Sequence, residues 1–418
     1  MFVTLKAVGI VVEYNPFHNG HFYHLQQSKE KANADVVIAV MSGYFLQRGE
    51  PALVSKWART KMALKNGVDL VVELPYAFST QSAEIFARGA VAILDSLFCH
   101  SLCFGSEQGK IEPFYKALER IKQNKNEYEN CLKEALNEGY SYPKAKSIAF
   151  LSLINNNEDI VDLSKPNNIL GIQYIQAIHD LKSSITPLTT KRIGGGYHDQ
   201  RLHESTIASA TSIRNTIFSK KELHTLHSYM PKSSYEELIY YKKTFSNFHQ
   251  WEDYFPFLKH AILTKSINEL SEIYEMEEGL EYRFKEKIKN AKSFLDFVQS
   301  VKTKRYTWTR LQRICVHLLT NTKKDEMLHA LTIKSAPYIR LLGMNKRGQS
   351  YLNFIKKEVE VPLIAKLSSY DSPFLELDIK AANVYSLVFP EPISTDFMHL
   401  EFSTPPLRYN EENKSFIN

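Results

Sequence analysis

Short runs of consecutive apolar residues alternate with segments of helical periodicity along the first half of the chain. Ala7 to Val12 reads as a continuous buried strand, a helix follows to about Asn33, and Asp35 to Met41 is the next apolar run. A helix is predicted near Lys56 to Lys65, a third strand at Asp69 to Leu74, a helix over Ser82 to Leu97 and a fourth strand at Ser101 to Gly105. Helical segments come next at Ile111 to Asn137, Tyr142 to Leu153 and Asn168 to Leu181, then a fifth strand at Thr186 to Ile193 and a helix opening near Ala208. Strands separated by helices imply right-handed crossovers and a parallel sheet covered on both faces, with ligands at the carboxyl ends of the strands. The fold class is therefore α/β. After Phe218 the texture changes to polar helical stretches rich in Tyr, Lys and Glu, with a break across Ser228 to Ser234. The division falls there: an α/β domain over 1–228 and a mainly helical domain over 229–418. Val361 to Leu367 as a strand and Ile379 to Val388 as a helix give the second domain a small mixed α/β end.

Composition excludes whole classes. In 418 residues, 44% hydrophobic positions with 16 Gly and 16 Pro supply packed cores and rule out a disordered or fibrous chain. No apolar run approaches the roughly 18 residues of a membrane span, and the first twelve residues lack a signal-peptide charge pattern, so a cytoplasmic protein without membrane partners is expected. Four cysteines make no disulfide framework, and Cys99 with Cys103 lack a second pair for zinc; no metal site and no obligate protein partner are predicted. The net charge of +6 is small, but its distribution is uneven. Glu269 to Glu281 holds six acidic and no basic residues, whereas Tyr282 to Arg313 holds ten Lys/Arg against two acids. Such clustering marks either a polyanion site or solvated helix faces.

The segment Gly9 to Leu25 carries the clearest chemistry. A buried strand runs into Asn15-Pro16, where proline ends strand pairing, and then into His18-Asn19-Gly20-His21 at a helix start. Side chains three apart in a helical turn share a face, so His18 and His21 can address one ligand while Gly20 lets it approach the backbone. Free N–H groups at the helix start suit phosphate, and imidazoles there can donate to oxygens whose charge grows during substitution at phosphorus. By spacing alone the pair would more often be surface residues or half of a metal site. A second constellation, Ser209, Thr211, Ser212 and Arg214, opens the last helix of the α/β half; alone it is a well-capped helix.

An Asn-Pro-x-His-x-Gly-His segment after the first strand resembles the His-x-Gly-His signature of the nucleotidylyltransferase superfamily, whose fold is Rossmann-like and whose reaction is attack on the α-phosphate of ATP. The element at 209–214 resembles its Ser/Thr/Arg phosphate clamp, with Ala210 replacing one hydroxyl. Met41-Ser42-Gly43 with Gln47-Arg48-Gly49-Glu50-Pro51-Ala52, Glu73-Leu74-Pro75, Phe104-Gly105-Ser106-Glu107, Lys165-Pro166-Asn167-Asn168-Ile169-Leu170-Gly171 and Lys302-Thr303-Lys304-Arg305-Tyr306-Thr307 extend the likeness over most of the chain. Together with Glu13 to His21 they resemble the bacterial tRNA(Met) cytidine acetate ligases.

The resemblance implies a ligase that activates acetate with ATP, as Mg-ATP, to acetyl-adenylate and pyrophosphate. The acetyl group then passes to N4 of the wobble cytidine of elongator tRNA(Met), giving N4-acetylcytidine. It implies His18 and His21 as catalytic residues. Nucleotide contacts would come from Val11, Val12, Glu13, Tyr14, Asn15, Pro16, Phe17, His18, Asn19, Gly20, His21, Phe22, Tyr23 and His24, and from Gly105, Asn167, Arg192, Ser209, Thr211, Ser212 and Arg214. The stretch Lys302, Lys304, Arg305, Tyr306, Trp308, Arg310 and Arg313 interleaves charge with aromatic rings, as binding of a single-stranded RNA loop requires. Ser42, Arg48, Glu50, Ser106 and Glu107 are undivided candidates for acetate or the cytidine amine. A small-metabolite adenylyltransferase and a non-catalytic RNA-binding protein are the competing readings.

Overall fold

The computed structural model describes residues 5–154, 159–193, 206–219, 223–332 and 335–417. The first four residues of the amino-terminal stretch lie outside them. The five strands predicted in the first half are β1 (Ala7–Val12), β2 (Val36–Ser42), β3 (Leu70–Leu74), β4 (Ser101–Ser106) and β5 (Thr186–Lys191). They form a parallel set in the order β5-β4-β1-β2-β3. The strand order reverses beside β1, so the β1 and β4 carboxyl ends open on a crevice, where α/β sheets bind ligands. β1 to β3 are buried almost throughout, which explains why they read as apolar runs rather than alternations.

The sheet continues beyond the first half. Strand β6 (Ile339–Asn345) pairs antiparallel with β3, and β7 (Leu363–Ile364), β8 (Leu407–Asn410) and β9 (Ser415–Ile417) extend it from there. Where the sequence pattern predicts a small mixed end to a helical domain, the last eighty or so residues complete the sheet of the first half. The pattern also predicts helical structure over Ile111 to Asn137 without marking a break. The structure has two helices, Glu112–Gln123 and Lys125–Asn137, and at the break the Asn124 side chain donates to the Arg120 carbonyl at 2.9 Å, competing with the helical ladder.

Three buried cations lock this arrangement. Arg59, on the helix Lys56–Lys65, is inaccessible to solvent and gives its guanidinium to main-chain carbonyls: Glu13 at 2.8 Å, Ser42 at 2.8 Å, Val54 at 3.2 Å, and Gly43. It thereby ties the ends of β1 and β2 together. One turn earlier on the helix, Lys56 bonds Glu73 of β3 at 2.7 Å and Glu401, from the helix Ile393–Ser403, at 2.6 Å. Arg340 of β6 reaches Glu73 at 3.2 Å and also pairs with Glu401. Two cations and two anions thus neutralise one another under the sheet and join the last helix to the first half.

Removing one member leaves the others uncompensated, so Glu401→Gln should cost about 3–5 kcal/mol at neutral pH. Burial pushes the Glu401 carboxyl up, but Arg340 and Lys56 outweigh it and hold the group at about 2, against 4.5 ordinarily. A depressed folded-state value stabilises above the ordinary value and loses that contribution as pH falls through the folded one. Denaturant titrations should therefore show the gap between wild type and variant closing from about pH 4.5 to about 2. A gap independent of pH would show that this network does not carry the stability.

Candidate active site

β1 ends in a turn held from three directions. Besides the Arg59 contact to Glu13, the Asn15 side chain accepts from Leu53 N–H at 2.7 Å, and Arg214 donates to the Asn15 carbonyl at 3.0 Å. Tyr14, with φ of 50°, packs its buried ring against Phe17, centroids 4.6 Å apart. Asn19 ties the helix start to the carbonyls of Thr206 and Ser228, both at 2.9 Å. Tyr14, Asn15, Pro16, Phe17, Asn19 and Phe22 thus shape the turn, whereas Val11, Val12, Glu13, His18, Gly20, His21, Tyr23 and His24 line a cavity of about 800 Å³.

The helix Asn19–Ala32 begins with a reciprocal cap made by the two histidines. His18 Nδ1 accepts from Gly20 N–H at 3.0 Å, and His18 N–H points to His21 Nδ1 at 3.4 Å. The rings lie 3.9 Å apart between centroids. Burial, then Arg192 and Arg214, pulls His18 down to about 3; burial and Arg192 pull His24 down to about 4, and His21 also lies well below its ordinary value. The imidazoles are neutral at physiological pH. Because His18 Nδ1 is an acceptor, its proton sits on Nε2, which makes Nε2–H a donor. Gly20 has a reason the sequence does not disclose: a Cβ there would lie 2.8 Å from His18 Cε1. The glycine makes room for the imidazole as well as for a ligand.

The remaining nucleotide candidates divide. Gly105 faces His24 and Arg192, and with Asn167 and Arg192 it lines the cavity. Asn167 donates to Glu107 at 2.7 Å, and Glu107 also accepts from Asn168 N–H at 2.9 Å, so both of its oxygens serve the start of the helix Pro166–Asp180. Ser209 caps the helix Ala210–Phe218 and lines the cavity with Thr211 and Arg214. Ser212 does not reach it: the residue is buried, and its hydroxyl donates to the Ser209 carbonyl at 2.8 Å. Arg214 also binds Glu50 at 2.9 Å. Of the acetate candidates, Arg48 and Glu50 line the cavity, while Ser42 is buried and Ser106 bonds Thr189 at 2.7 Å. Tyr142, half exposed at the start of the helix Tyr142–Leu151, lines the cavity too, and no motif marked it.

The basic segment forms another wall. Arg305, Arg310 and Arg313 line the same cavity, on and before the helix Trp308–Leu319. Each meets one glutamate of the acidic run: Glu278 at 3.4 Å, Glu277 at 2.9 Å and Glu275 at 2.6 Å. Lys304 lies over the Tyr140 ring at 3.5 Å, Lys302 is exposed, and Trp308 is half-buried. Tyr306, expected to stack on a base, is 7% exposed and donates to Glu278 at 3.1 Å, so it packs inside the wall. Gly49 (φ +73°) fastens the two walls: a Cβ there would lie 2.3 Å from Arg313 N, and Trp251 Nε1 donates to its carbonyl at 2.9 Å.

Comparison with known proteins agrees with this geometry. Residues 5–398 match the HIGH Nucleotidyl Transferase family. The chain is 54% identical over 99% of its length to the whole tRNA(Met) cytidine acetate ligase of Bacillus velezensis, and 51% identical over 99% to that of Bacillus subtilis. It belongs to the tRNA(Met) cytidine acetate ligase family. The crystal structure of Thermotoga maritima TmcAL without ligand covers 97% of this chain and 99% of its own at a TM-score of 0.88 and 35% identity. The same protein bound with alpha-thio ATP superposes at a TM-score of 0.87. This chain thus has the ligase family's α/β nucleotidyltransferase fold. Among the described residues no helix is long and apolar enough to cross a membrane, and no three metal-ligating side chains gather.

If the cap orients His18, Gly20→Ala should impair nucleotide activation in this ligase fold by about 10- to 100-fold, because small misplacements of a reacting group cost that much. Thermal unfolding should shift little, since the new methyl meets a side chain that can turn away. Unchanged activation in the alanine variant would show that the histidine cap is not what positions His18.

Proposed function

We infer that this chain is an ATP-dependent tRNA(Met) cytidine acetate ligase working in the cytoplasm, with acetate and elongator tRNA(Met) as its other substrates. The observation that carries the reading is that one cavity is lined both by the two histidines and by Arg305, Arg310 and Arg313. Its volume lies within the range of small-molecule sites, with room for a nucleotide.

ATP suits the donors present. The start of the helix Asn19–Ala32, the Ser209 and Thr211 end of the other helix, and the Arg192 and Arg214 guanidinium groups face the cavity, and all favour a triphosphate. Magnesium would accompany the nucleotide rather than be held by a cluster of carboxylates among the described residues, and would supply countercharge to the phosphates. An acetate oxygen attacks the α-phosphorus, the bond to the bridging oxygen breaks, and pyrophosphate leaves. Charge grows on the phosphate oxygens in that step, and a neutral Nε2–H donor answers it without adding a proton to the leaving group. Arg48 is the cavity cation nearest in role to an acetate anchor. The wobble cytidine then enters along the other wall, its N4 attacks the acetyl carbon, and AMP departs. Arg305, Arg310 and Arg313 of the charged and aromatic stretch line that wall, and together with Lys302, Lys304 and Trp308 they would meet the anticodon loop, with Tyr306 supporting them from within.

Acetate-dependent exchange of pyrophosphate into ATP tests the first half of the reaction. His18→Ala should lower it about 10²-fold or more with the fold retained, by analogy with loss of one oxyanion donor. Full exchange in that variant would remove the site from this role. The second half is tested on the wall: charge reversal at Lys304 and Arg305 together should weaken tRNA binding and flatten its dependence on salt by about 1–2 log units per log unit. Exchange should suffer far less than binding. Normal binding at moderate salt would place the RNA elsewhere on the surface.

A further inference from the structure

Acylation of an amine leaves a proton to be removed, and the cavity has to supply its acceptor. The histidines are ill suited, because burial and the neighbouring guanidinium groups keep them weakly basic, and His18 Nδ1 is engaged by Gly20 N–H. Carboxylates are the better choice. Four line the cavity: Glu13, Glu50, Glu275 and Glu277. Glu50 is bonded to Arg214 at 2.9 Å, Glu277 to Arg310 at 2.9 Å, and both oxygens of Glu275 to Arg313 at 2.9 and 2.6 Å. A carboxylate held by a guanidinium is a weakened base.

Glu13 is different. Oε1 accepts a single hydrogen bond, from Gln47 N–H at 3.0 Å, and among the described residues the carboxylate forms no ion pair. It stands at the end of β1, five residues before His18, with its own carbonyl fixed by Arg59. The carboxylate therefore sits at a braced strand end and lines the same cavity as His18 and His21. The groups that face it are Arg48 and Glu50 from the loop after β2, Arg214 from the helix Ala210–Phe218, Arg59 from the helix Lys56–Lys65, and Tyr174 from the helix Pro166–Asp180. Burial raises its pKa above the ordinary value, Arg48 and the Gln47 amide lower it, Glu50 raises it and Arg214 lowers it, with a net rise. A carboxylate so tuned accepts a proton more readily than an ordinary one.

We propose that Glu13 is the catalytic base of the transfer step, taking the N4 proton of the cytidine through the oxygen not bound to Gln47. The assignment rests on the acetate ligase reading. The nitrogen lone pair forms the N–C bond, the acetyl carbon releases the phosphate oxygen of AMP with its bonding pair, and the proton passes to the carboxylate and from there to water.

The test compares wild type, Glu13→Gln and Glu13→Asp in both half-reactions: acetate-dependent pyrophosphate exchange, and single-turnover transfer to tRNA(Met) from acetyl-adenylate formed on the enzyme. For Glu13→Gln the ratio of transfer to exchange should fall about 10²-fold or more, the range lost with a general base. Glu13→Asp should recover part of the ratio, which also reports on folding. Wild-type transfer should slow as pH falls through the titration of one group, and this limb should vanish in Glu13→Gln. An unchanged ratio, an equal loss in both half-reactions, or an acidic limb that survives in Glu13→Gln would overturn the assignment. Absence of acetate-dependent exchange in the wild type would instead overturn the ligase reading on which it rests.

Discussion

The Arg59 guanidinium, cut off from solvent, is the constraint on which the site depends. Burying a charge is costly unless its donors are satisfied, and here main-chain carbonyls of Glu13, Ser42, Gly43 and Val54 satisfy them. The carbonyls of Glu13, Ser42 and Gly43 lie at the ends of two parallel strands, whose backbone acceptors would otherwise lack partners where the ladder stops. The single side chain therefore completes the ladder and fixes the path of the chain into the histidine turn. Everything that follows in sequence inherits that position: the Asn15 clasp, the reciprocal His18 and His21 cap, and the orientation of the helix start toward the cavity.

The second organising feature is the pairing of opposite charge runs. The acidic stretch and the basic stretch look like separate surface patches in the sequence, yet Glu275, Glu277 and Glu278 each meet an arginine of the wall. The innermost pair is the most buried: burial would raise the Glu275 carboxyl, but Arg313 holds it below the ordinary value. These arginines are thus fixed in place rather than freely solvated. On the proposed reading, RNA phosphates meeting the outer pairs would have to compete with these carboxylates. The partly exposed Arg305 and Arg310 pairs can exchange at small cost.

What the sequence disclosed was local. Strands β1 and β2 are almost wholly apolar runs, β3 to β5 follow them in regular alternation with helical segments, and the histidine turn is a compact motif next to β1, so the strands and the turn were legible. β6 was not: Arg340 interrupts its pattern, and its burial makes sense only beside Glu73 and Glu401, distant in the chain. The same holds for the site. His18, His21, Arg192, Ser209, Thr211 and Arg214 came together as their motifs implied, whereas Ser212 and Tyr306 turned inward because capping and packing claimed them. The joining of the second half to the sheet, and the contact of Gly49 with the Arg313 backbone, depend on tertiary contacts that no window of sequence contains.

On the proposed reading, a single cavity lined by both His18 and His21 and the arginines of 305–313 would hand the acetyl group over without its leaving the protein. An isotope-trapping experiment addresses this directly. Labelled acetyl-adenylate is formed on the enzyme, and tRNA(Met) is then added together with a large excess of unlabelled acetate. The shared cavity predicts that most of the label appears on the tRNA in the first turnover; label diluted into the acetate pool before transfer would contradict it.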